Sequence, residues 1–122
     1  MTLQELYLSI DGDYDQVMRI LRMEKLLDKH IRKFAKNGVV ERLLEAGKTK
    51  DPTQMFEAAH AMKGVCGNLG LKELCDIASE LSEEYRPGNA RKLSDEEVDE
   101  RLAVAAEAFR KAKEGIARYE AD

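Results

Sequence analysis

Apolar residues recur at intervals of three and four along nearly the whole chain, and no stretch shows the period-two alternation of a half-buried strand. The N-terminal Thr2-Leu-Gln-Glu5 has the form of a capping box and predicts a short helix carrying Leu3, Leu6 and Tyr7, ending near Asp11-Gly12. Asp13 can cap the next segment, in which Val17, Ile20, Leu21, Leu27, Ile31 and Phe34 keep helical spacing until Asn37-Gly38. The spacing allows a break near Arg22, although nothing in the sequence signals one. VVERLLEAG, residues 39–47, reads as a brief helix closed by Gly47 and laid over the bundle as a lid.

Asp51-Pro52 is a strong helix start, with Asp as N-cap and Pro at the first helical position, and the helix is predicted to run to about Asn68. Gly70 supplies a turn. Leu71, Leu74, Cys75, Ala78, Leu81 and Tyr85 mark the apolar face of the following helix, which Pro87-Gly88-Asn89 ends. Ser94-Asp-Glu-Glu97 is a second capping box, and Val98, Leu102, Ala105, Phe109, Ala112, Ile116 and Tyr119 predict one long terminal helix. The sum is all-α: an antiparallel four-helix bundle with short accessory helices, formed by residues 1–122 as one domain.

Composition narrows the function. The 122 residues suit one core, and 36% charged residues with only two prolines favour amphipathic helices over a turn-rich β fold. The net charge of −4, with both signs mixed along most of the chain, leaves no basic stripe for nucleic-acid phosphates. No apolar run reaches the length of about 20 residues that spans a bilayer, and the N-terminus lacks a signal-peptide layout, so a cytoplasmic location without membrane partners is expected. Cys66 and Cys75 lack CxxC spacing and fall on apolar helical positions, which predicts buried, reduced thiols, and no metal-ligand set is visible. The heptad-like spacing of the last helix fits an intramolecular bundle as well as a coiled-coil dimer; a monomer is the expectation.

One segment resists a purely structural reading. AAHAMKGVCGNLG, residues 58–70, holds three of the eight glycines inside or beside a helix, where each interior glycine costs roughly 1 kcal/mol relative to alanine. On a helical wheel with His60 at zero, Met55, Ala58, Ala59, Met62, Val65, Cys66 and Leu69 cluster at about 140° to 260° and predict the core stripe. His60 then faces outward. Lys63 lies one turn along at about 300°, Gly64 at about 40° and Gly67 at about 340°, so both glycines border the imidazole. Alanine would serve helix stability better at both positions, whereas close approach of a large partner to His60 explains their lack of side chains. Neutral imidazole, which predominates above pH of about 6.5, is a competent nucleophile toward phosphorus, and an ammonium at i+3 suits an anion attached to the ring.

These residues carry a family resemblance. Ala59-His60-Ala61-Met62-Lys63-Gly64 resembles the AHxLKG signature of histidine-containing phosphotransfer (HPt) domains, and Asn68-Leu69-Gly70 with the leucines of the next helix extends it. The resemblance implies a four-helix bundle whose exposed histidine accepts a phosphoryl group from a receiver-domain phospho-aspartate or a histidine kinase and passes it on. By position, His60 would be the phosphorylated nucleophile, Lys63 its charge partner, and Gly64 the residue that admits the receiver. Mg²⁺ would belong to the partner receiver, and the carrier itself would need no cofactor. Met62 replaces the family's usual leucine, and Gly67 stands where a small or polar side chain is more frequent.

Other readings remain at this point. Nothing resembles a P-loop or kinase glycine loop, so self-phosphorylation from ATP, and enzymatic activity without a partner, are not expected. A non-phosphorylated helical adaptor with the same surface is the alternative function, and a hydrolase with His60 as general base lacks a second oriented group. His30 shares a stripe with Leu27 and Phe34 and reads as a core or boundary histidine. Phe56, at about 320° on the wheel, fits either packing against a neighbouring helix or an apolar docking patch.

Overall fold

The structure is a computed structural model that describes all 122 residues, and it contains seven helices and no strand. They are α1 (Leu3–Ser9), α2 (Tyr14–Leu21), α3 (Glu24–Phe34), α4 (Val39–Thr49), α5 (Pro52–Asn68), α6 (Lys72–Glu84) and α7 (Asp95–Ala121). Helices α4 to α7 form the four-helix bundle: each packs on the next, and α7 closes the ring against α4. Helices α1, α2 and α3 are the accessory layer, with α1 and α3 both resting on α7. None of the helices is long and apolar enough to cross a membrane.

Local chemistry sets most of these boundaries. Both capping boxes form, Thr2 with Glu5 and Ser94 with Glu97, so the first orphan N–H groups of α1 and α7 are satisfied by side chains. The Asp51 carboxylate accepts from the Gln54 N–H at 3.0 Å and Pro52 occupies the first turn of α5. One buried cluster of 28 apolar residues holds the bundle together, running from Leu3 in α1 to Ile116 in α7.

Three expectations are decided or corrected. The segment from Asp13 to Gly38 is two helices, broken at Arg22, which adopts a left-handed conformation at φ 63 and caps α2 by donating its N–H to the Met18 carbonyl. Beyond the break α3 buries Leu27, Ile31 and Phe34 at 0% exposure, whereas Ile20, which shares the helical spacing, is 53% exposed. Residues 39–49 are a full member of the bundle rather than a lid. Gly47 lies inside that helix and lets it approach α7, since a Cβ there would collide with Leu102 Cδ1; the stop comes at Lys50, which is left-handed at φ 58. Of the two thiols, Cys66 is buried but Cys75 only half-buried, and both are free.

Two ties fix the ends of the bundle. The Tyr7 hydroxyl donates to the Leu69 carbonyl at 2.7 Å, and the Asp13 N–H donates to the Gly70 carbonyl at 2.9 Å, so the accessory layer is fastened to the α5–α6 turn. At the other end the connection between α6 and α7 folds onto the Glu84 carboxylate, which accepts from the Leu93 N–H at 2.9 Å, the Lys92 N–H at 3.0 Å and Arg91 Nε at 2.7 Å.

Glu84 is 7% exposed, and burial alone pushes its carboxyl up; the Leu93 N–H, the Arg91 guanidinium and the Lys92 N–H outweigh that and hold it below the usual carboxylate range. Its stabilisation is therefore complete at neutral pH and is lost as the pH falls through the lowered native value. We expect Glu84→Gln to cost about 2–3 kcal/mol in urea denaturation at neutral pH, and the gap to wild type to narrow in acid, below the usual carboxylate range. An equal gap at both pH values would mean that the carboxylate charge is not what holds the loop.

Candidate functional site

The buried side of α5 consists of Met55, Ala58, Ala59, Met62 and Cys66, each at 0% exposure. With those positions committed to the core, helical geometry turns His60 outward, and it is exposed. Lys63 is exposed one turn further on and makes no ion pair within 4.0 Å. Val65, expected in the core stripe, is only half-buried, because the shallow groove between α3 and the end of α5 reaches it.

The two glycines beside the histidine differ. A Cβ built on Gly64 meets nothing within 4 Å, so the surface next to His60 is bare and is not required by packing. Gly67 is half-buried, and its Cβ would touch Cys75 Sγ of α6 at 3.5 Å, an ordinary contact. An alanine would fit there without moving α6, so packing does not demand glycine at either position. Gly70 is a third case: it is left-handed at φ 66, and a Cβ there would stand 2.8 Å from the Asp13 carbonyl oxygen and 2.6 Å from Val17 Cγ2.

Phe56 resolves into a definite role. It is half-buried against the core, and its ring stacks on the His60 imidazole with centroids 5.6 Å apart and an interplanar angle of 22°. An i, i+4 aromatic pair of this kind restricts the imidazole's rotamers. The Arg86 guanidinium, at the end of α6, lies 5.9 Å from the Phe56 centroid. Arg86 in turn holds the Glu83 carboxylate through Nε at 3.0 Å and a terminal nitrogen at 2.7 Å. That guanidinium is the main reason the Glu83 carboxyl is held below its usual range, with Asn89 and the Lys63 charge adding to it.

Glu83 and Arg86 escape a reading of the α5 motif because they enter from α6; the sequence signal is only their helical spacing of three. Of the two placements expected for His30, core and boundary, the structure excludes the core. The residue sits at the edge of the α3 apolar stripe, is exposed, and lines the shallow groove with Ile20, Leu21, Lys33, Val65 and Leu69. Cys66 offers no competing nucleophile: burial pushes its thiol up to about 12, so it is protonated at neutral pH.

The helical bundle thus presents an exposed histidine with a bare glycine beside it and an unpaired lysine one turn away. The Hpt domain profile matches residues 18–112, from within α2 to within α7, and the chain belongs to that family. No curated protein and no solved structure matches the chain significantly.

The emptiness around Gly64 has a direct consequence for stability. Gly64→Ala should raise the unfolding free energy by about 0.5–1 kcal/mol, the ordinary gain for alanine over glycine in an exposed helix interior. Thermal denaturation followed by circular dichroism checks this; a lower melting temperature would mean that the glycine is retained for folding.

Proposed function

We propose that the protein is a phosphoryl carrier of a two-component phosphorelay and that His60 is the residue that accepts the phosphoryl group from its partner. The observation that carries the reading is the open face of α5, where an exposed imidazole stands beside an unencumbered Gly64 and an unpaired Lys63. Family membership supports the same class of function.

In this reading a phosphorylated receiver domain, or a histidine kinase, docks over Gly64 and presents its phosphoryl group to the ring. The lone pair of the outer imidazole nitrogen attacks phosphorus, the nitrogen–phosphorus bond forms, and the acyl phosphate P–O bond breaks to return the donor aspartate as carboxylate. The other ring nitrogen keeps its proton. Lys63 lies on the same face and offsets the phosphoryl charge by electrostatics alone. Mg²⁺ and the acidic pocket belong to the receiver, and the carrier contributes no ATP site. Transfer to a second receiver is the same step in reverse. The phosphorelay reading places the chain in the cytoplasm, acting as a monomer.

Incubation with a phosphorylated receiver and Mg²⁺ tests this. Acid-labile, base-stable label is expected on the wild-type protein and is expected to vanish in His60→Gln. Label that survives that substitution would overturn the assignment of His60, and failure of several receivers and kinases to label the wild type would favour an adaptor that binds without being phosphorylated.

A further inference from the structure

On the α6 side of His60 two cationic side chains, Arg86 and Lys63, act on one carboxylate, Glu83. Glu83 holds Arg86 by two hydrogen bonds to one oxygen, at 2.7 and 3.0 Å, and is close enough to Lys63 to feel its charge. Asn89 Nδ2 steadies the arrangement by donating to the Glu83 carbonyl at 3.0 Å. Arg86 also lies by the Phe56 ring, whose stacking partner is His60. The chain thus runs from the imidazole through an aromatic ring to a guanidinium, with a carboxylate on that guanidinium.

We infer that Glu83 and Arg86 form an exchangeable latch: Glu83 holds Arg86 while His60 is free, and a phosphoryl group on His60 takes Arg86 from it. This rests on the phosphorylation of His60 proposed above. Both side chains are about half-exposed, at 58% for Glu83 and 46% for Arg86, and an exposed ion pair of this kind contributes little and opens readily. A phosphoryl group is the stronger competitor, with up to two negative charges and three acceptor oxygens matched to a guanidinium fork. Phe56 supplies a flat apolar surface along which the guanidinium passes from one anion to the other. Arg86 is then a positioning residue for the phosphorylated state, in addition to Lys63, and Glu83 tunes how long that state lasts by competing for it.

The test uses the full chain phosphorylated by phosphoramidate, a small donor that needs no receiver, with phosphohistidine followed by ³¹P nuclear magnetic resonance. Arg86→Ala is expected to shorten the phosphohistidine lifetime by about fivefold, with partial recovery in Arg86→Lys, and Glu83→Gln to lengthen it by about twofold. Phosphorylation of the wild type should also shift the Arg86 Nε–H resonance. A merely structural ion pair would leave lifetime and resonance unchanged and move only the melting temperature. Lifetimes of all three variants within experimental error of wild type, on protein that phosphorylates normally at His60, would overturn the latch and leave the carrier reading standing. Failure of both phosphoramidate and a phosphorylated receiver to label His60 would overturn both.

Discussion

The turn between α5 and α6 is the constraint on which the rest of the structure depends. Gly70 must be left-handed for α6 to fold back along α5, and the Asp13 carbonyl and Val17 fill the space where a Cβ would sit. Once that turn is made, its neighbours' carbonyls become attachment points: Leu69 takes the Tyr7 hydroxyl and Gly70 takes the Asp13 N–H. The accessory layer is thereby held against the end of the bundle by hydrogen bonds that span more than fifty residues of sequence. With α6 fixed alongside it, α5 has one buried side and one free side, and the free side is where His60 stands.

That division explains why the site is rigid without being enclosed. The imidazole is carried on a helix whose opposite side is buried in the core, and Phe56, itself packed on the core, stacks against the ring. The charged groups around it are exposed and adjustable. Lys63 is unpaired, and Arg86 is held by a solvent-accessible carboxylate rather than by a buried network. Contrast Glu84, the next residue along α6, whose buried carboxylate collects two backbone N–H groups and Arg91 and acts as a fixed clip for the loop that follows. Two adjacent glutamates on one helix therefore meet opposite demands, and solvent exposure decides which interaction can be exchanged.

The site's centre was legible in the sequence because it depends on local rules. Helical spacing alone placed His60 opposite Met55, Ala58, Ala59, Met62 and Cys66, and the caps at Thr2, Asp51 and Ser94 marked three helix starts that the structure reproduces. What escaped was set by tertiary contacts. Arg22 and Lys50 take left-handed conformations that their residue types do not announce, so the break before α3 carried no signal and the end of α4 falls beyond its expected place. Gly47 looked like a stop because its use, admitting Leu102 of α7, requires a partner more than fifty residues away. Gly67 differs from Gly64 in being half-buried beside Cys75, a neighbour that only the folding of α6 onto α5 reveals. Arg86 carried only its spacing of three from Glu83, and its place beside Phe56 depends on α6 folding along α5.

On the proposed function, the bare surface at Gly64 serves the approach of a large phosphoryl donor to His60. The most direct measurement compares phosphorylation rates of wild type and Gly64→Gln with two donors of different size, a phosphorylated receiver domain and phosphoramidate. The account predicts that the substitution slows transfer from the receiver by at least about tenfold, a steric loss of little more than 1 kcal/mol in the transition state, while the rate with phosphoramidate is unchanged. Equal rates with the receiver, or an equal slowing with both donors, would contradict it.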